Sequence, residues 1–353
     1  MLKQTLIPIW SLLIGIAVLT MASALQSSLI GIRASIEGFN TTATGLIMSA
    51  YYLGFILGSL LVPNWVKNVG HIRVFAAVAS LASITILMQS MVVNPWFWML
   101  MRMGTGLCYA GLFIVTESWL NDIATNKTRG RLFSIYIIEI WASQTISQFL
   151  LNLSSPSGYG LFILTSVLIS LAVVPLLLVR TPSPTINVPE KLNILGLIKT
   201  APLGVTGVTI AGATSGALLG LGALYAQSIG MNIAEISLFI GASYVGGMIL
   251  QWPIGKLSDR QDRRVTILWV GVVGAIAAFI VPLGAGLSNQ ILMMIGMFAV
   301  GAFTFPMYSL ASSHMNDQLR PEQILSASSG MDFVERHWRD AWAAYCGGTH
   351  GHA

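Results

Sequence analysis

The sequence of 353 residues is 55% hydrophobic and only 9% charged, with a mean hydropathy of +0.75 and a formal net charge of +5. A soluble domain carries charge on about a quarter of its residues and cannot hide this much apolar surface in one core, so the composition excludes one. The apolar residues run in continuous stretches rather than short alternating strands, which excludes a β-barrel. The positive charge is gathered between those stretches, as in a membrane protein, and is not a nucleic-acid footprint.

Ten apolar stretches follow in order, at roughly 8–29, 43–61, 74–92, 95–115, 132–151, 161–179, 205–225, 236–252, 265–283 and 291–310. Each reaches about 17 to 22 residues, enough to cross a hydrocarbon core ~30 Å thick. The expected fold class is therefore all-α, a polytopic membrane protein with about ten transmembrane helices. The first stretch follows Lys3 and contains Ala22-Ser23-Ala24, which imitates a signal peptide. It is too long for such a peptide's apolar region, and the internal repeat described below needs it as helix 1. The fourth stretch carries Arg102 and the fifth carries Glu139. After the sixth comes the longest polar connection, with Thr181-Pro182-Ser183-Pro184 and Glu190-Lys191. Its residues 192–198 form an amphipathic piece suited to the inner membrane surface. The eighth stretch runs into the densest charge in the chain, Gly255-Lys256-Leu257-Ser258-Asp259-Arg260-Gln261-Asp262-Arg263-Arg264, expected as a short loop.

The basic residues fix an orientation. Of the 18 Lys and Arg, only Arg33 falls in an outer connection if the N-terminus is inside. Arg102 lies within the fourth stretch, Arg336 and Arg339 lie in the C-terminal tail, and all the others fall on the N-terminal side. Positive charge is retained in the cytoplasm, so an N-in topology is expected. The two halves also repeat. Helices 1 and 7, the basic segments ending at Arg73 and Arg264, and the pairs Asn121-Asp122 and Asn316-Asp317 recur at offsets of about 191 to 197 residues, as in transporters built from parallel repeats. The expected domains are an N-terminal six-helix bundle (1–180), a cytoplasmic central loop (181–203), a C-terminal bundle of about four helices (204–330) and a polar tail (331–353). The repeat places an eleventh helix near Leu325, and Ile324 to Gly330 begins it. The tail beyond carries too much charge to span, so helices 11 and 12 are expected to be missing, through a truncated gene or a shifted reading frame.

Cys108 lies in an apolar stretch and Cys346 in the tail, so no disulfide framework is expected. The five histidines show no zinc spacing, and neither a metal nor a cofactor is expected. Gly255-Lys256 lacks the upstream glycine of a phosphate loop, and Gly104-Thr105-Gly106 lacks the following glycine of a dinucleotide fingerprint. With no nucleophile elbow or metalloprotease motif either, an enzyme is not expected.

Gly255 to Arg264 resembles the loop motif of the major facilitator superfamily, glycine, three residues, Asp-Arg, one residue, then Gly-Arg-Arg. Asp262 stands where the family has the glycine. The first-half copy, Lys67-Asn68-Val69-Gly70-His71-Ile72-Arg73, keeps only the glycine and basic character. Arg102 with Gly104, Gly106 and Gly111 resembles the family's helix 4 motif. Glu117-Ser118-Trp119-Leu120-Asn121, Arg129-Gly130-Arg131, Tyr136, Ala226-Gln227 and Gln251-Trp252-Pro253-Ile254-Gly255 are similar to the YcaD-like subgroup of bacterial permeases. The resemblance covers about residues 5 to 330. It implies secondary transport of a small solute across the bacterial inner membrane by alternating access, coupled to protons, by a monomer embedded in the lipid bilayer. The alternative of another class is a truncated or frameshifted membrane protein that transports nothing, or a scaffold.

Intramembrane charges are costly and usually functional. Arg102 lies ~10 Å from the outer end of its helix and Glu139 ~10 Å from the inner end of the next, so they are candidates for an ion pair that opens when Glu139 is protonated. The duller reading is a static pair, or separate bonds, fixing helix packing. Glu117 and Asp122 with Arg129 and Arg131 form one candidate cytoplasmic gate. Gly255 and Asp259 with Arg260, Arg263 and Arg264 form another, and the resemblance implies this latch role. Simple positive-inside charge is the duller reading of both. Gln26, Tyr51, Tyr52, Gln144, Gln148, Gln227 and Gln251 are candidates for the substrate cavity, since amides and phenols offer hydrogen bonds without charge; interhelical bonding is their default. A cavity with so few charges suits a neutral, zwitterionic or amphipathic solute.

Overall fold

The computed structural model describes residues 2–123, 129–178 and 198–318, and their side chains from Trp10 onward except at 121–131, 133–134 and 316. The polar tail and most of the central connection lie outside these residues. Among the described residues ten α-helices follow one another, with no strand. They are α1 (Leu2–Ile36), α2 (Thr41–Val69), α3 (His71–Met91), α4 (Pro95–Ile123), α5 (Arg129–Leu150), α6 (Gly160–Leu178), α7 (Pro202–Ser228), α8 (Ile233–Arg260), α9 (Arg263–Gly286) and α10 (Gln290–Asn316). Nine are long and apolar enough to cross a membrane. The remaining helix, α5, carries Glu139, Ser143, Gln144, Thr145, Ser147 and Gln148 among its apolar residues.

The helices outrun the apolar stretches because their last turns are polar. The charged decapeptide expected as a loop is mostly helix: α8 continues to Arg260, only Gln261 and Asp262 link, and Arg263 begins α9. At the helix starts, Asn40 caps α2 by accepting from the Ala43 amide at 2.7 Å, and Asn232 caps α8 by accepting from the Glu235 amide at 3.0 Å. Each satisfies an amide that the first helical turn leaves without a partner.

The chain divides into two compact units, one holding α1–α6 and the other α7–α10. In the first, α2 and α3 pack on α4 while α5 and α6 pack on α1, and α3 meets α6. Helices 1–3 and 4–6 thus exchange partners, the pattern of an inverted three-helix repeat. In the second, α7, α8 and α9 all pack on α10.

The repeat is visible at single residues. Gly38 and Gly230, both at positive φ, close α1 and α7 with matching hydrogen bonds, Phe39 N–H to Ala34 O and Met231 N–H to Ala226 O. The glycine conformation lets the backbone turn back on the helix end. Asn94 and Asn289 cap α4 and α10 in the same way. At the closest helix crossings, a Cβ added to Gly54 would collide with the Met103 carbonyl and one on Gly106 with the Tyr51 carbonyl. In the second unit Gly246 stands so to Phe298 and Gly301 to Ser243. Small residues permit this approach where lipid offers no hydrophobic drive to associate.

Candidate functional site

Two polar systems lie inside the first unit. One is built on α4. Arg102 is 2% exposed, and its Cζ lies 4.7 Å from the centroid of the Tyr51 ring on α2. Its Nη2 contacts the Met48 sulfur at 4.0 Å, while Nε and Nη1 make no hydrogen bond. Tyr109 stands two turns further along α4, fully buried, and its hydroxyl has no hydrogen-bond partner among the described residues. Tyr52 is buried with its ring edge-on to Tyr51 at 5.2 Å.

The other system stitches α5 to α1. Ser147 donates to the Met21 carbonyl at 2.8 Å, and Ser28 donates to Gln148 Oε1 at 2.8 Å. Gln26 donates to Gln89 Oε1 at 3.4 Å, and Gln89 donates to the Trp98 carbonyl at 3.4 Å, so three helices share one buried chain of amides. Gln144 takes a bond from Gln148 on its backbone carbonyl at 3.5 Å, and its own Oε1 is buried without a hydrogen bond, as is Gln26 Oε1. Glu139 accepts from Ser143, one turn on, at 2.9 Å, and its Oε2 is likewise unbonded.

Arg102 and Glu139 do not pair in this structure. Helix 5 follows helix 4 in sequence but packs on α1, whereas α4 packs on α2 and α3. Adjacency in the chain does not carry over to adjacency in the bundle. Glu117 lies within α4, which runs on to Ile123, and accepts a hydrogen bond from the Tyr136 hydroxyl of α5 at 3.2 Å. The side chains of Asp122, Arg129 and Arg131 lie outside the described residues.

In the second unit Arg263 joins three helices at one end. Its Nη2 lies 3.2 Å from Asp259 at the end of α8, and its Nε lies 2.6 Å from Asp317 just past α10. Asp317 was not among the expected gate residues, although its pairing with Asn316 had marked the repeat. Arg260 has no ion-pair partner among the described residues. Asp262, the departure from the family motif, caps α9: its carboxylate accepts from the Arg264 amide at 2.9 Å. Gly255 faces open space, so packing does not demand a glycine there. Gln251 donates to Ser309 of α10 at 2.9 Å, with Oε1 buried and unbonded. Gln227 sits in the last turn of α7 with its Oε1 buried and unbonded.

Sequence reasoning passed over Tyr109, Gln89, Ser28, Ser309 and Asp317. Tyr109 carried a usable signal, since residues two turns apart lie on one face of a helix and it follows Arg102 at that spacing. The others are small or single polar residues in apolar stretches, whose facing depends on helix rotation.

Residues 12–334 match the family model described as Major Facilitator Superfamily. An uncharacterized MFS-type transporter, YcaD, from Escherichia fergusonii is 26% identical over 329 residues, which is 92% of this chain and 84% of that protein. YcaD of Escherichia coli O6:K15:H31 is 26% identical over 327 residues with the same coverage. Among solved structures, the nucleoside transporter NupG superposes with a TM-score of 0.80 at 14% identity, over 97% of this chain and 90% of its own. A bacterial homolog of the human lysosomal transporter Spinster, in an inward-facing and unoccupied conformation, gives 0.76 at 14% identity, over 98% and 82%. At such identities the two structures share the fold with this chain.

Proposed function

Because this chain belongs to the Major Facilitator Superfamily and is a multi-pass membrane transporter, we propose that it moves a small solute by alternating access, with Glu139 and Arg102 coupling the movement to protons. The observation that carries this reading is the pair of opposite charges in the first unit, each with polar atoms buried and unbonded. An intramembrane charge left uncompensated in one state is the kind that finds its partner in another. In the proposed cycle Arg102 and Glu139 pair in one conformation, and a proton on Glu139 releases the pair.

The same reading assigns the inner membrane, an N-terminus in the cytoplasm and a monomer. It makes the two units a six-helix bundle and a C-terminal bundle joined by a cytoplasmic connection. The Asp259–Arg263–Asp317 contacts act as a cytoplasmic latch, with Arg260, Arg264 and Gly255 beside it and Glu117, Asp122, Arg129 and Arg131 as its first-half counterpart. Tyr51, Tyr52, Gln227 and Gln251 face the solute, together with the unbonded amide oxygens of Gln26 and Gln144. Gln148 is committed to Ser28 and holds helices rather than solute.

Reconstitution in liposomes carrying an imposed pH gradient and an internal pH-sensitive dye tests the reading. Addition of a transported solute is expected to collapse the gradient in the wild type. Glu139→Gln is expected to keep solute exchange and lose the proton movement. Unchanged pH-dependent uptake in Glu139→Gln would remove Glu139 from the coupling.

A further inference from the structure

The guanidinium of Arg102 is the least compensated charge among the described side chains. It is 2% exposed, two of its nitrogens make no hydrogen bond, and the third meets only a thioether. Arginine does not shed its proton in a protein, so the positive charge stays. The face of Tyr51 offsets part of the burial, but it leaves the N–H donors unused. Among the described residues no carboxylate lies within ion-pair distance of it. The hydroxyl of Tyr109, also buried, adds one more unused polar group.

Beside these donors stands a frame of flat apolar faces. Tyr51 meets Phe55 at 6.1 Å and Tyr109 at 6.2 Å, Tyr109 meets Phe113 at 6.3 Å, and Phe113 meets Phe55 at 6.3 Å with near-parallel planes. Four rings from α2 and α4 thus run along the helix pair from the charge. Tyr51 and Phe113 are half-buried, so the frame reaches the surface of its unit at the ring that lies against the guanidinium.

We propose that Arg102 and Tyr109 bind the anionic group of the transported solute, and that this solute is a monoanion with a flat apolar body, an aromatic carboxylate. The planar guanidinium fork fits a carboxylate. A single buried positive charge compensates one negative charge and would leave the second charge of a dianion exposed to the full cost of burial. Of the four rings, the half-buried Tyr51 and Phe113 are the ones on which an aromatic body can stack. The assignment of this anion as the cargo rests on the transport reading above; the binding site itself does not.

The purified full-length protein in detergent is titrated at fixed pH with benzoate, 1-naphthoate and indole-3-acetate, and with benzamide and benzylamine as neutral and cationic counterparts. Calorimetric binding and the thermal-unfolding midpoint are read. The carboxylates are expected to bind saturably, and the amide and amine about tenfold more weakly or worse. Arg102→Lys is expected to weaken benzoate about tenfold, Arg102→Met to abolish it, and Tyr109→Phe to weaken it several-fold, as loss of one hydrogen bond does.

Binding of none of the three carboxylates overturns the proposal, as does benzamide binding as well as benzoate. So does undiminished benzoate binding by a folded Arg102→Met protein; if that variant does not fold, Arg102→Lys and Tyr109→Phe carry the same comparison. Binding that depends on Arg102 with no uptake in liposomes would sink the transport reading and leave the site standing. Uptake of a solute that benzoate does not inhibit would do the reverse.

Discussion

Gly106 of α4 rests directly on the backbone carbonyl of Tyr51 in α2, with no room for a side-chain carbon between them. The same relationship holds in reverse at Gly54 and Met103, and both recur in the second unit at Gly301 with Ser243 and Gly246 with Phe298. A methyl group at any of the four must push backbone against backbone. Alanine at each is therefore expected to cost about 1–3 kcal/mol of stability, read as a lower unfolding midpoint in detergent. Gly255→Ala, where an added Cβ meets open space, is the internal control and should unfold at the wild-type temperature.

Asp262, which stands where the family has glycine, works as a cap. Its carboxylate holds the Arg264 amide at the start of α9. Asp262→Ala is expected to cost about 1 kcal/mol, whereas Asp262→Gly, which restores the family residue, should cost only a few tenths. Thermal unfolding of the two variants side by side separates them, and equal losses would show that the hydrogen bond contributes nothing.

Arg263 binds two acids unequally. Its contact with Asp317 is the shorter, but Asp317 is 54% and Asp259 67% exposed. Solvent screening limits each to less than about 1 kcal/mol. Asp317→Asn should therefore lower stability slightly more than Asp259→Asn, and both losses should shrink at high salt. If the contacts form the proposed latch, solute flux in these variants falls by more than their stability does.

Arg102 sets stability against function. A buried charge without a carboxylate partner is a net burden on the folded state. Arg102→Met is expected to match or exceed the wild type in thermal unfolding while losing solute uptake. A fall of several degrees in the midpoint would show that the guanidinium holds the α2–α4 contact together.

The helices were legible because their apolar residues run for about the thickness of a bilayer, even in the more polar α5, and the repeat was legible because charges and turn residues recur in it. Individual facing was not legible. In a helix that is apolar all round, nothing in the pattern says whether Gln26 looks toward a cavity or toward Gln89. Its Nε2 reaches Gln89, and Gln148 is taken up by Ser28. The polar ends misled in another way: dense charge suggested a loop from Gly255 to Arg264, yet Lys256 to Arg260 are the last turns of α8. Charge marks where the bilayer ends, and a helix continues past that level.

One consequence concerns how the protein is made. Helix α5 is the most polar of the ten helices, and its Ser147 and Gln148 are bonded to α1. The helix that α5 bonds to is separated from it in the chain by three others. Ser28 of α1 meets Gln148 only once α5 has been made. The order of synthesis and the order of contact therefore differ at this point: a bond of the first helix waits on the fifth.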